Sequence, residues 1–314
     1  MSVSLALLLL GVLTALTAPR MLARAHWVER EPVVALWVWQ CVVAAVLVSF
    51  ALSMTLSAAA AWQAVRGQVF APAPRAVIDA YELSTGGGPW SAVIAVVLAA
   101  AGLWSGAMLG REIGLARARR RQRRDDLLVR APQLPGEEES GGRLVVLEGE
   151  RPDAWWLPGA TPRLVITTAA LRRLKGRQLD AVLAHEQGHA RARHDWLLNC
   201  SGALAAGFPG IPVFAAFREE MHRLVELAAD DVASRRFGRL TVALALVELN
   251  EERGVFAAAP GSGPEAGLPR RVDRLLTAAP RLTAAHRLRL TATAALVPVV
   301  PLLVAFYPGL AALD

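Results

Sequence analysis

Four long stretches, about Val3–Ala18, Val33–Ala61, Trp90–Leu109 and Leu288–Tyr307, contain no Lys, Asp or Glu, and Arg289 at the edge of the last is their one charged residue. Each approaches the ~20 residues that cross a hydrocarbon core, and the second is long enough to tilt or to extend beyond it. With hydrophobic residues at 54% of the 314, a chain so patterned reads as a polytopic α-helical membrane protein of about four transmembrane helices. The first stretch is short enough to resemble a signal peptide. Met1-Ser2 supplies no basic residue, however, and Ala18-Pro19-Arg20 is a poor cleavage context, so it is expected to remain as a span.

Arginine sets the expected orientation. Seven of the fourteen residues from Arg111 to Arg124 are Arg, and Arg270, Arg271, Arg274, Arg281 and Arg287 crowd the approach to the last span. Basic flanks stay on the cytoplasmic side. The region 111–287 is therefore expected in the cytoplasm, below a three-span membrane region (1–110), with a fourth span and a short external tail at 288–314. The Arg20/Arg24/Arg30 turn then lies inside, while the 63–89 loop and both termini lie outside the plasma membrane. The net charge of +7 is mostly juxtamembrane arginine, which attracts anionic lipid; no aromatic-interleaved basic strand accompanies it, so no direct nucleic-acid binding is expected. Cys41 and Cys200 are isolated and read as packing residues.

Within 111–287 a Pro/Gly/Glu-rich linker (131–142) precedes three extended runs, Arg143–Leu147, Ala154–Leu157 and Arg163–Thr168, with turns at Pro158-Gly159 and Thr161-Pro162. Helices are predicted at about Thr168–Leu174, Arg177–Leu198, Arg218–Phe237 and Leu240–Glu252, and Ala257–Gly267 reads as a loop. This is an α+β domain.

Its chemistry lies in His185-Glu186-Gln187-Gly188-His189, an H-E-x-x-H sequence. Histidines four residues apart on a helix share one face, so His185 and His189 can reach one ion, and Glu186 can touch a metal-bound water without being a ligand. Glu and His on a helix are otherwise an ordinary solvated face. Here the apolar run Leu179–Ala184 leads straight into the motif, as a buried site requires, and Glu226-Leu-Ala-Ala-Asp230 follows downstream. Glu226 is the expected third ligand of one Zn2+ per chain. Asp230, one turn later, is expected to accept the free ring N–H of a ligating histidine. His194 reads as a helix-end group or one beside the ligands, and His222 as facing either the site or solvent.

The uncharged stretch Trp196–Phe217 could span a bilayer once, yet a single crossing would part His189 from Glu226. Gly207, Pro209, Gly210 and Pro212 break it in the middle. It is expected either to dip in and return or to form a buried hairpin.

Together, the three spans, the helix Ala181–His189, the strand Val165–Thr168, the Glu226–Asp230 pair and a fourth span resemble the BlaR/MecR-type integral-membrane zinc metallopeptidases, and more distantly the HtpX-like membrane peptidases. The resemblance covers nearly the whole chain. It implies a cytoplasmic zinc-metallopeptidase domain in which His185, His189 and Glu226 bind zinc, Glu186 is the general base and Asp230 supports the ligands. The substrate is a polypeptide, in the family often a helix-turn-helix repressor, and the run containing Val165, Ile166 and Thr167 is the edge strand on which it lies. Two departures stand out. Relatives often carry Asp five residues after the second histidine, where this chain has His194 and then Asp195. No S-x-x-K follows the fourth span, so the chain is expected to be a short form without a penicillin-binding sensor. HtpX-like quality control of membrane proteins, and a zinc-binding sensor without hydrolysis, are the alternative functions.

Overall fold

The structure is a computed structural model that describes residues 3–66, 89–130, 144–157, 163–250, 267–277 and 280–311. The expected 131–142 linker and the turns at 158–162 lie outside the described residues, as do most of the 63–89 and 257–267 loops and the end of the tail.

Three helices open the chain: α1 (Val3–Ala23), the single turn α2 (Trp27–Arg30) and α3 (Pro32–Arg66). Val3–Ala23 and Pro32–Ala59 are each long and apolar enough to cross a membrane. They lie side by side, with Gly11 of α1 leaving room for Ser49 and Phe50 of α3. Helix α4 (Pro89–Arg130) carries the third apolar segment and runs on through the arginine-rich segment without interruption. The boundary expected near residue 110 therefore falls inside a continuous helix. The last apolar segment is not one straight span. It forms α11 (Ala284–Leu296) and α12 (Val299–Ala311), bent by 42° at the break. Pro298 lies in that break, where it lacks an N–H and its ring clashes with the preceding turn.

Three strands, β1 (Leu144–Leu147), β2 (Ala154–Leu157) and β3 (Arg163–Thr167), form one sheet in the order β1-β3-β2, β3 parallel to β1 and antiparallel to β2. This corrects an expectation. Val165, Ile166 and Thr167 are buried in the central strand, whose backbone is paired on both sides, so they cannot serve as an edge for a substrate. The edge beside the helices is β2. Thr167 then caps α5 (Thr168–Arg173) by accepting from the Ala170 N–H.

Helix α6 (Arg177–Arg191) turns Ala181, Val182, Ala184, His185 and Gly188 inward. The helix predicted to run to Leu198 stops early. Arg193 adopts the left-handed conformation (φ 52, ψ 41), and a new helix, α7 (His194–Gly207), leaves in another direction. Helix α8 (Pro212–Phe237) starts on a proline, whose missing N–H costs nothing at a helix start, and ends at Gly238 with φ 88. Between them, residues 208–211 close a helical hairpin.

The hairpin turns back on itself instead of running on as one straight helix. Its tip residue Gly207 packs against the backbone of Leu109, beside the arginine-flanked end of the third apolar segment. Leu197 and Leu204 of α7 and Val213, Phe214, Phe217 and Met221 of α8 share one apolar cluster with Trp39, Val42, Val43 and Val46 of α3. Helix α9 (Arg239–Asn250) and α10 (Leu268–Leu276) close the far side through Ala181, Ala184, Ala233, Val242, Leu246, Leu268 and Leu275.

Several arginines read from the sequence as topology signals are paired internally. Arg274 donates from Nε to the Glu29 carbonyl (2.7 Å) and from Nη1 to Asp231 (2.9 Å), while Arg281 lies 3.3 Å from Asp231; Arg223, not one of those signals, lies 3.0 Å from Glu29. Glu31 accepts from the Leu282 N–H (3.2 Å). The α1–α3 turn is thereby tied to α8, α10 and the segment leading to α11.

Candidate active site

Helices α6 and α8 meet where Gly188 faces Ala229. A Cβ on Gly188 would lie 3.4 Å from the Ala229 Cα, so only a small residue permits this approach. His185 and Glu226 stand one turn before this contact on their two helices and His189 directly follows Gly188, so the three come together. The Nε2 atoms of His185 and His189 are 3.1 Å apart, His185 Nε2 is 3.4 Å from Glu226 Oε2, and His189 Nε2 is 3.5 Å from Glu226 Oε1. These three side chains form a group able to hold a metal ion. Tetrahedral zinc with ligands at 2.0–2.1 Å needs donors about 3.3–3.4 Å apart, and two imidazoles with one carboxylate are a donor set used by catalytic zinc. The residues fit the ion.

Asp230 is fully buried beside them. Its Oδ1 lies 3.0 Å from His185 Nδ1, an ion-pair distance, although the ring N–H is not aligned for a hydrogen bond. Arg271 of α10 completes the group: Nε and Nη2 donate to the two Asp230 oxygens at 2.8 and 2.7 Å, and Nη1 lies 2.8 Å from Glu226 Oε2. The Arg271 role was not visible in the sequence, where this residue was one of five basic residues before a span.

Glu186 lines the same cleft of about 450 Å³, and its Oε2 accepts the Trp156 N–H of β2 at 3.0 Å. The cleft also presents Trp155, Leu198, Leu246, Leu249 and Asn250. His194 is buried, with Nδ1 3.0 Å from His189 Nδ1. His222 is exposed, and of its two readings solvent is the one observed. Asp195 reaches the cleft wall.

The electrostatics divide these groups. Burial alone would lower the pKa of His185, but the carboxylates of Asp230 and Glu226 push it up to about 10. Burial pulls His189 down to about 4 and also lowers His194. It raises Glu186 to about 7. Glu226 and Asp230 resist burial and stay below the usual carboxylate range, Glu226 through His185 and Arg271, Asp230 chiefly through Arg271.

Two imidazoles and a carboxylate at metal-holding distance, opening on a cleft that also presents Glu186, suit the chemistry of a metallohydrolase. The family model of peptidase family M48 matches residues 115–286, more than half the chain, and the protein belongs to that family. It is thus a metallopeptidase, of a zinc-dependent family, and its substrate is a polypeptide. No curated protein and no solved structure matches it.

Proposed function

We propose that this protein is a membrane-embedded zinc endopeptidase that cuts peptide bonds at the cytoplasmic membrane face. His185, His189 and Glu226 are its metal ligands, Glu186 its general base and Asp230 the partner of His185. What carries the reading is the set of donor separations, 3.1, 3.4 and 3.5 Å, close to the edges of a zinc tetrahedron.

When bound, zinc supplies a Lewis acid that polarises a carbonyl and acidifies water. Glu186 takes the proton of the attacking water and delivers it to the leaving amine. The Trp156 N–H fixes one of its oxygens, Oε2, at 3.0 Å. Arg271 and Asp230 hold the ligands in place. The substrate adds to the sheet along β2, the edge strand beside the cleft, through main-chain hydrogen bonds. Leu198, Leu246 and Leu249 favour an apolar side chain next to the scissile bond.

The four apolar segments and their arginine flanks support a multi-pass protein of the plasma membrane, in contact with lipid, with 111–287 cytoplasmic and both termini external. The likeness to the BlaR/MecR type supports a regulatory role on a helix-turn-helix repressor. HtpX-like quality control is the second reading. The first gives one defined cut in one substrate, the second many products from unfolded membrane proteins.

The test uses full-length protein in detergent with an unfolded polypeptide. Cleavage should vanish on chelation, return with zinc, and fall by about 10²–10⁴-fold in Glu186→Gln. Cleavage that survives chelation refutes the proposal.

A further inference from the structure

The ligand His189 has two ring nitrogens, and only one of them faces the metal site. Its Nε2 lies toward His185 and Glu226, whereas its Nδ1 lies 3.0 Å from Nδ1 of His194, the rings meeting edge to face at 84°. Two imidazole nitrogens at that distance share one proton, so one donates and the other accepts. If the proton sat on Nε2 of His189, that nitrogen would have no lone pair for a metal.

We propose that His194 is the positioning residue for His189: its Nδ1 accepts the His189 Nδ1–H, fixing the tautomer and ring angle that present the Nε2 lone pair to zinc. The inference rests on the metal-site reading above and adds a residue to it. His185 has a carboxylate partner in Asp230, at 3.0 Å from its Nδ1. His189 has a neutral ring instead. That acceptor orients the ligand without adding a further negative charge to a site that already holds Glu226 and Asp230.

The backbone is bent to make the contact. On an unbroken helix a residue five places on points about 140° away from the first, so position 194 would face away from His189. The left-handed Arg193, alone among the described non-glycine residues in having a positive φ, ends α6 and swings His194 back under His189. L-residues rarely adopt that conformation. The His194 ring it delivers is only 4% exposed.

The experiment measures zinc dissociation constants by chelator competition on full-length protein, for wild type, His194→Leu and His194→Asn. The asparagine oxygen can occupy the position of Nδ1 and accept the same proton, whereas leucine fills the space without accepting. The expected result is a loss of about 10–100-fold in zinc affinity for the leucine variant, with asparagine within about threefold of wild type. Leucine binding as tightly as wild type overturns the proposal. So does an asparagine variant as weak as leucine, or a leucine variant that loses its helical circular dichroism without metal, since both mark a packing role. Wild type that takes up no zinc overturns the metal-site reading as well, a result distinct from tight wild-type binding with an unaffected leucine variant.

Discussion

Arg271 grips Asp230 with a bidentate fork, Nε to Oδ2 at 2.8 Å and Nη2 to Oδ1 at 2.7 Å, across 41 residues of sequence. The same guanidinium touches Glu226, so one arginine bridges the two carboxylates of α8 that lie beside His185. A fully buried carboxylate needs such a partner, because an ionised group without one is expensive to keep from water.

Arg271→Ala should therefore destabilise the metal-free protein by about 3–5 kcal/mol, the usual consequence of stripping one partner from a buried pair. Arg271→Lys keeps a charge but not the fork and should fall between the two. Urea unfolding of the metal-free variants measures this. An alanine variant as stable as wild type would contradict the assigned packing.

Gly188 sets the distance between the helix of the two histidines and the helix of Glu226. Alanine there meets Ala229 and Val232 at 3.4 Å, an ordinary contact, and should be tolerated. Gly188→Val should push the helices apart and weaken zinc binding at least tenfold, because a ligand set displaced by a few tenths of an ångström no longer matches a tetrahedron. Chelator competition distinguishes the two variants.

Acidity makes a separate prediction. The folded pKa of His185, about 10, lies above its ordinary 6.5, so its contribution to metal-free stability is full below pH 6.5 and is lost as the pH rises through 10. Zinc requires the neutral ring. At pH 8, above the value of about 7 for Glu186, zinc binding should release close to one proton, and it should tighten about tenfold per pH unit from roughly 7 to 9. Calorimetry in two buffers of different ionisation enthalpy gives the proton count. No release at pH 8 would contradict the charge state of His185.

What could be read in the sequence was local. His185 and His189 share a helix face by spacing alone, and Glu226 and Asp230 repeat the device on a second helix. The strand positions follow from short apolar runs rich in Val, Ile, Thr or Trp and, for the second and third, turn signals between them. What was missed was tertiary. Strand order depends on a parallel pairing of β1 with β3 that no turn signal encodes, so the sequence holds nothing to correct the edge position that the resemblance implies for β3. Arg271 looked like its neighbours because its partner lies 41 residues away. The break at Arg193 carries no glycine to announce it, so the sequence places His194 at a helix end or beside the ligands without deciding which. The bend in the last apolar segment did have a visible cause in Pro298.

The α7–α8 hairpin predicts topology. Reporter fusions after Lys175 and after Arg218 should report the same side of the membrane, because the chain between them turns back at residues 208–211. Opposite signals would mean that the segment crosses, and His189 and Glu226 could not then meet.

The most direct test is the zinc content of purified full-length protein and four variants, measured by plasma mass spectrometry after removal of loosely bound metal. The account predicts one zinc per chain in wild type and in Glu186→Gln, and close to none in His185→Ala, His189→Ala and Glu226→Ala. A full complement of zinc in Glu226→Ala, or none in wild type, would contradict it.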